Sequence, residues 1–190
     1  MRTVTLAVVS RGCDADEAYR RVSDFERYPQ LVDEVRSITV QESTGGVTAS
    51  DWEVFFRNGP LRWSEVDYFQ PEIRRITFEQ TAGYFEVFRG NWQVDPVRDG
   101  CVVNFEVTFD FGIPSLVGVL EPIATKVLKE GIALALLQLL GDAEVENDPL
   151  VSGAVAAKLA ELSLAETAAT PAGPARRPDA RTESDARWTM

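Results

Sequence analysis

Histidine is absent from the 190 residues of the chain. This absence excludes Ser-His-Asp and Cys-His catalysis and any metal site built on imidazole ligands. Acid–base chemistry therefore has to come from carboxylates, tyrosine, lysine, cysteine or ordered water. Neither a metal ion nor a cofactor is expected.

Cysteine and positive charge are both scarce. The two cysteines, Cys13 and Cys101, have no CxxC spacing, which predicts two ordinary thiols and no disulfide framework. The chain has 30 acidic and 19 basic residues, and so a formal net charge of −11. A surface this acidic repels phosphate backbones, so nucleic acid is not expected as a partner.

Long hydrophobic runs are also missing. The most apolar window, residues 132–140, is far shorter than the roughly 20 residues that cross a bilayer, so stable membrane insertion is not expected. The N-terminus lacks the basic region and following apolar run of a signal peptide. These features predict a cytoplasmic protein.

Turn residues divide the first part of the chain into short segments. Residues 3–9 predict a strand, and Asp14 then predicts the N-cap of a short helix. Pro29 should end that helix and permit a second one. The segments that follow are rich in β-branched and aromatic residues, and Gly, Asn, Asp or Pro separates them, which predicts an antiparallel meander. Their ranges are 36–42, 47–57, 60–70, 73–81, 84–95 and 101–111.

After residue 111 the pattern becomes helical. Between residues 123 and 140, apolar side chains occupy nearly the whole circumference, so this helix should be buried on most sides. Pro122 is expected to kink it or to start a second helix. The order of elements predicts an α+β fold. In this fold a curved antiparallel sheet of about seven strands wraps round a long C-terminal helix, and two short helices follow the first strand.

Composition divides the chain into one domain and two further segments. Residues 1–145 are long enough for a single domain with its own core. Residues 146–169 predict an additional amphipathic helix. From residue 170 to 190, Pro, Ala and Arg are frequent without apolar periodicity, which predicts a disordered tail.

The strand at 60–70 places two acids among bulky apolar residues. Because successive side chains of a strand point to opposite faces, Trp63, Glu65 and Asp67 share one face. A solid core would reject unpaired carboxylates, whose burial is costly, whereas a wet or ligand-filled cavity would tolerate them. In the opposite orientation Val66 and Tyr68 point inward, and the acids form part of an exposed edge. The alternation alone permits both orientations.

An inward orientation makes Glu65 and Asp67 candidate catalytic residues. Burial and mutual repulsion would raise the pKa of one carboxyl group, giving a general acid beside an ionised base. Proton abstraction next to a carbonyl needs this pairing. Aromatic side chains on the inward faces suit flat rings and polyene tails. The candidate ligand-binding residues are Trp52, Trp63, Phe69, Phe78, Tyr84, Phe88, Trp92 and Phe109.

Two further features bear on a cavity. Gly90, between Phe88 and Trp92, predicts either a bulge or a space for a ligand. The apolar stretch 131–140 is expected to form a cavity wall, although a homodimer interface or a membrane contact would also use such a stretch.

One stretch carries a family resemblance. The segment "AYRRVSDFERYPQLVDEVRSITV", residues 18–40, resembles the opening of the START/SRPBCC superfamily, the helix-grip proteins. The branch it resembles contains polyketide cyclases/dehydrases and coenzyme-Q-binding proteins, and residues 82–122 are similar to the closing half of the same family. The residues that match the opening pattern V-x-D-x-x-x-Y-P and the apolar segment after it are Val22, Asp24, Tyr28, Pro29, Leu31, Val32 and Val35.

The resemblance implies a cavity between the sheet and the last helix, open at one end and holding a small hydrophobic molecule. It implies cyclisation, aromatisation or dehydration of a polyketide-like or aromatic molecule. The alternative is non-catalytic transport of a lipid or quinone. Related aromatase/cyclases commonly carry an arginine late on the strand at 60–70, where this chain has Phe69. Arg62 and Arg89 are both predicted to point outward, so the carboxylates would have to replace that arginine.

Overall fold

The computed structural model describes residues 1–41, 45–56 and 59–169. Eight strands form one antiparallel sheet in the order β2-β3-β4-β5-β6-β7-β1-β8. The meander predicted from the turn residues is therefore correct, and the described residues contain eight strands where about seven were expected. The strands are β1 (Arg2–Ser10), β2 (Val35–Val40), β3 (Val47–Phe56), β4 (Gly59–Gln70), β5 (Arg75–Gly83), β6 (Val87–Val97), β7 (Gly100–Asp110) and β8 (Ala143–Glu146).

Two short helical segments follow β1, as predicted. Helix α1 spans Ala15–Val22, and the Asp14 side chain caps it by accepting a hydrogen bond from the Glu17 amide at 2.8 Å. The second segment is a 3-10 helix, Phe25–Gln30, which contains Pro29. It precedes β2 and packs against that strand.

Helix α2, Val117–Leu140, is continuous. Pro122 lies inside it and does not start a second helix. The sequence predicted that a helix with apolar side chains round nearly its whole circumference would be buried, and the C-terminal half of α2 is buried. This finding corrects one expectation, since most of the stretch 131–140 belongs to a solid core and only its first two residues line a cavity. The fully buried residues of that stretch include Ala133, Leu134, Ala135, Leu136 and Leu140.

The described part of the chain ends with β8 and helix α3. Strand β8 pairs with the second half of β1, from Ala7 to Ser10. Helix α3 spans Pro149–Ala169, close to the predicted extra helix, and buries Val151 and Val155 against the core. The predicted disordered tail, 170–190, lies outside the described residues.

One face of each central strand is buried. Along β7, Val103, Phe105 and Phe109 are buried, and along β6 Phe88 and Trp92 are buried. These side chains point to the face of the sheet that α2 covers. A curved antiparallel sheet that holds one long helix is the predicted α+β arrangement.

No helix in the described part of the chain is long and apolar enough to cross a membrane.

Candidate functional site

A cavity lies between the sheet and α2. Its volume is about 90 Å³. Buried aromatic side chains and Ala124 form part of its lining, and half-buried residues of β2, β3, β4 and α2 form another part. The α2 residues on this cavity follow helical i, i+3, i+4 spacing, so one face of the helix forms the wall. They are Ala124, Val127, Leu128, Gly131 and Ile132.

Two tryptophans form the centre of the lining. Trp52 of β3 and Trp63 of β4 are register partners, and their rings are stacked with centroids 5.6 Å apart. Trp63 also contacts Phe88, with centroids 5.3 Å apart. These flat surfaces suit contact with another planar ring.

The orientation of β4 that the sequence left open is settled by burial. Trp63 is 8% exposed, Glu65 4% and Asp67 0%, so all three point inward. The exposed-edge interpretation of the two acids is therefore wrong. Tyr68, on the opposite face, is 44% exposed.

Glu65 is the member of the predicted acid pair that lines the cavity. Its Oε2 accepts a hydrogen bond from the Trp63 indole Nε1 at 2.7 Å. Burial, together with the nearby Asp67, raises the pKa of Glu65 well above its ordinary value. The indole bond opposes this shift because it favours the charged form, but burial outweighs it.

Asp67 lies next to Glu65 on the same face but does not line the cavity. Its Oδ2 accepts a hydrogen bond from the Ser50 hydroxyl at 2.6 Å, and the Ser50 oxygen accepts one from the Trp52 indole at 2.9 Å. Its Oδ1 is buried without a hydrogen-bond partner. Burial raises the pKa of Asp67 to about 6, and the Ser50 bond opposes this rise. The predicted acid–base pair is thus adjacent, but only Glu65 reaches the cavity.

Five of the eight predicted ligand-binding aromatics line the cavity: Trp52, Trp63, Phe78, Phe88 and Trp92. The other three lie elsewhere. Phe69 packs against Phe25, with ring centroids 5.8 Å apart, because it lies beyond Asp67 towards the end of β4. Phe109 is fully buried in the core beside Phe111. Tyr84 is 63% exposed.

Several lining residues were missed by the sequence reasoning. Phe85 is 6% exposed and contacts Phe88 with centroids 4.6 Å apart. The predicted strand 84–95 placed Phe85 on the face opposite Phe88, but β6 begins at Val87, so the alternation does not extend to Phe85. Val32 and Glu34 lie in the connection before β2, where no periodic pattern exists. Leu61 shares the predicted inward face with Trp63 and could have been included from that alternation.

Gly90 does not leave space for a ligand. A Cβ atom there would lie 2.7 Å from the Phe78 ring and 2.0 Å from the backbone oxygen of Glu106. The glycine therefore permits close packing of Phe78 onto β6.

The predicted outward direction of the arginines is correct. Arg62 and Arg89 are exposed, and Arg62 pairs with Glu53 at 2.6 Å. No lysine or arginine lines the cavity among the described residues. In the same part of the chain, no cluster of three or more Cys, Asp or Glu residues is arranged to hold a metal ion.

Solved structures with the same fold are known. TTHA0849 from Thermus thermophilus has 23% sequence identity and a TM-score of 0.64, covering 83% of this chain and 99% of that protein. The Zhui aromatase/cyclase from Streptomyces sp. R1128 has 16% identity and a TM-score of 0.60, and the match covers 74% of this chain and 92% of that protein. A START superfamily protein from Mycobacterium smegmatis has 18% identity and a TM-score of 0.62, and the match covers 73% of this chain and 96% of that protein.

These identities establish a common fold and leave the activity open. No curated protein matches the chain significantly. The family model described as "Polyketide cyclase / dehydrase and lipid transport" matches residues 12–133, which is more than half of the chain. The chain therefore belongs to the polyketide cyclase/dehydrase and lipid transport family.

Proposed function

We propose that the cavity binds a neutral polyketide-like or aromatic molecule and that Glu65 assists its cyclisation, aromatisation or dehydration. One observation carries this proposal: a carboxyl group that is 4% exposed lies on the lining of an aromatic cavity. Burial raises the pKa of Glu65 well above its ordinary value, which favours the protonated carboxyl group that a general acid needs. The family description, which names polyketide cyclases and dehydrases, supports the same reaction class.

The charge of the lining favours a neutral guest. Among the described residues, the ionisable acids and bases that line the cavity are Glu34 and Glu65, with Tyr28 as a phenol. Glu34 is paired with Lys158 of α3. An anionic head group would be buried here without a cationic partner, which is strongly unfavourable. A ketone oxygen, in contrast, can accept a hydrogen bond from protonated Glu65.

The proposed step is an aldol-type ring closure. The ketone oxygen takes the proton of Glu65 while an enol carbon of the same molecule forms the new carbon–carbon bond. The proton released by the enol hydroxyl returns to the Glu65 carboxylate, so the protein ends unchanged. In a subsequent dehydration, Glu65 donates to the departing hydroxyl group, which leaves as water, and the proton lost from the neighbouring carbon restores Glu65.

Asp67 has a supporting part in this proposal. It lies behind Glu65, and its charge raises the pKa of Glu65. The hydrogen bonds from Trp52 to Ser50 and from Ser50 to Asp67 fix its position. Asp67 therefore tunes the proton donor, and it is not expected to touch the substrate.

The test compares the products of a reactive poly-β-ketone with and without the protein. We expect the wild type to shift the ratio of cyclised products away from the spontaneous one. Glu65→Gln should lower the rate of the protein-catalysed cyclisation about 100-fold or more, because general acid catalysis contributes about 10²–10⁴ in rate. The product ratio should then return towards the spontaneous one. Glutamine keeps an acceptor for the Trp63 indole, so the fold should be preserved.

Glu79→Gln is the matched control. Glu79 lies on β5 and is exposed on the outer side of the sheet. This variant should leave the product ratio unchanged. An unaltered product ratio with wild-type protein, or full activity of Glu65→Gln, would contradict the proposed catalysis.

Non-catalytic transport of a quinone or lipid is the second candidate. Its supporting observation is that most of the lining is apolar and would hold a guest without any proton donor. Native mass spectrometry of protein purified from its own host distinguishes the two functions. An unmodified prenylquinone or lipid that co-purifies with the protein, in the absence of any effect on a polyketone, would favour transport.

A further inference from the structure

A glycine lies in the middle of the helix that forms the cavity wall. Gly131 belongs to α2, and it lines the cavity together with Leu128 and Ile132. In a helix interior, glycine is less favourable than alanine, because it loses more backbone freedom on folding. A glycine at this position therefore lowers the stability of α2, and its presence needs another reason.

Close packing does not supply that reason. A Cβ atom at Gly131 would have one neighbour, the Val32 Cγ1 atom, at 3.9 Å, which is an ordinary van der Waals distance. At Gly12 and Gly90, by contrast, a Cβ atom would lie within 3 Å of backbone atoms. Alanine would thus fit at position 131 without strain, and the space that glycine leaves belongs to the cavity.

We infer that Gly131 sets the size of the guest, by keeping the cavity open between α2 and Val32 so that a fused aromatic ring system can enter. This inference rests on the proposed function, since it concerns the same cavity. The cavity of about 90 Å³ is smaller than the roughly 150 Å³ that accommodates benzene in an engineered protein core. Side chains must therefore move to admit a single aromatic ring, and they must move further to admit a fused ring system. Any side chain at position 131 would bridge to Val32 and occupy the space that such movement needs.

The experiment measures binding of two neutral probes, phenol and 1-naphthol, by isothermal titration calorimetry. Gly131→Ala and Gly131→Leu fill the space in two steps, and both new residues are good helix formers. We expect Gly131→Leu to raise the Kd of 1-naphthol about ten-fold or more, because overpacking displaces the larger ring. The Kd of phenol should rise less than about three-fold, and Gly131→Ala should lie between the wild type and Gly131→Leu.

Gly118 supplies the matched control on the same helix. It is exposed, it has no atom within 4 Å of an added Cβ, and it does not line the cavity. Gly118→Ala and Gly118→Leu should leave both Kd values unchanged. Both alanine variants should raise Tm by about 2–4 °C, which verifies that each protein is folded and that the helix gains stability.

The possible results separate the two claims. If wild type binds both probes and Gly131→Leu weakens them equally or not at all, the role of Gly131 is refuted while the binding function stands. If neither probe binds wild type, the proposed function fails and the inference fails with it. If Gly131→Leu does not fold, the ratio of the two Kd values in Gly131→Ala decides, and an unchanged ratio refutes the inference.

Discussion

At the scale of single residues, the unusual feature is a pair of acids buried on one strand face. Glu65 and Asp67 have almost no contact with water, and no cation lies among the described residues that line the cavity beside them. The protein stabilises them through neutral donors, the Trp63 indole and the Ser50 hydroxyl. Neutral donors compensate less than a cation would, so both pKa values stay raised.

The raised pKa values make stability depend on pH. In the unfolded chain Asp67 titrates near pH 4, whereas in the folded protein burial raises its pKa to about 6. Between these values the folded state binds more protons than the unfolded state, so the free energy of unfolding falls as pH rises. Asp67→Asn cannot ionise and should escape this loss. At pH 8 it should be more stable than wild type by about 1–3 kcal/mol, and at pH 4 the two should be equal, as measured by urea denaturation.

Asp51→Asn is the control for this measurement. Asp51 lies on the neighbouring strand β3, accepts a hydrogen bond from Ser64 and is exposed. Its substitution should change stability by less than about 0.5 kcal/mol at either pH. Equal stability of Asp67→Asn and wild type at pH 8 would show that Asp67 does not destabilise the fold when it is ionised.

The residue scale also shows where sequence reasoning stops. Alternation identified the inward set of β5 and β6 because one face of each strand is clearly more apolar. It could not orient β4, because both faces of that strand mix aromatic and polar side chains. Tyr84 was included among the candidate ligand-binding residues and Phe85 was not, although Phe85 is the one of the two that lines the cavity. Both lie in the predicted strand 84–95, but β6 begins at Val87, so the alternation expected from the sequence does not apply to them and packing sets their directions.

At the scale of elements, helix α2 is fixed at its C-terminal end by another helix. The guanidinium of Arg21, on α1, donates to the Leu139 carbonyl at 2.9 Å and to the Leu140 carbonyl at 3.4 Å. These carbonyls have no partner within α2, and a cation there also interacts favourably with the helix dipole. One side chain thus joins α1 to the end of α2.

Removing that side chain should destabilise the fold measurably. Arg21→Met keeps the apolar stem but loses the donors, and we expect a loss of about 1–3 kcal/mol in the free energy of unfolding. Arg20→Met is the control, because Arg20 also pairs with Glu17 but is 71% exposed and directs its guanidinium to that carboxylate. It should lose less than about 1 kcal/mol. Equal losses in the two variants, measured by chemical denaturation, would mean that the contact with α2 contributes nothing.

Element prediction from the sequence succeeded where turns or periodicity were strong. Gly100 illustrates a strong signal, since its φ of +147° and the 1.9 Å between an added Cβ and the Ser10 oxygen leave room for glycine only. Strand β8 was missed because it has four residues, too few for a pattern, and it exists because β1 offers an edge. The continuity of α2 through Pro122 was also not predicted, because a proline inside a helical pattern normally ends or kinks the helix.

At the scale of the whole molecule, the dominant property is the negative charge. A formal net charge of −11 produces mutual repulsion that opposes the compact state. The ion pairs of the described residues are mostly at the surface, where each contributes little. Repulsion between like charges should therefore exceed the attraction of these pairs at low ionic strength.

Added salt should stabilise the protein. Raising NaCl from about 0.01 M to 0.5 M shortens the screening length from about 30 Å to below 8 Å, so long-range repulsion weakens. We expect Tm at pH 8 to rise by several degrees in a thermal melt. Near pH 4.5, close to the sequence pI of about 4.5, the same addition should have little effect. A fall of Tm with salt at pH 8 would mean that attractive pairs dominate instead.

The position of β1 in the sheet has a consequence for how the protein is made. Arg2 pairs with Phe109 and Ser10 with Cys101, and β8 joins the other side of the strand later still. The ribosome adds about 5–20 residues per second, so the partners of β1 are completed several seconds after β1 itself. During this interval Val4, Leu6 and Val8 belong to an apolar segment with nothing to pair with. Until β7 and β8 are made, this segment of the nascent chain is therefore where a chaperone that holds unfolded polypeptides would be needed most.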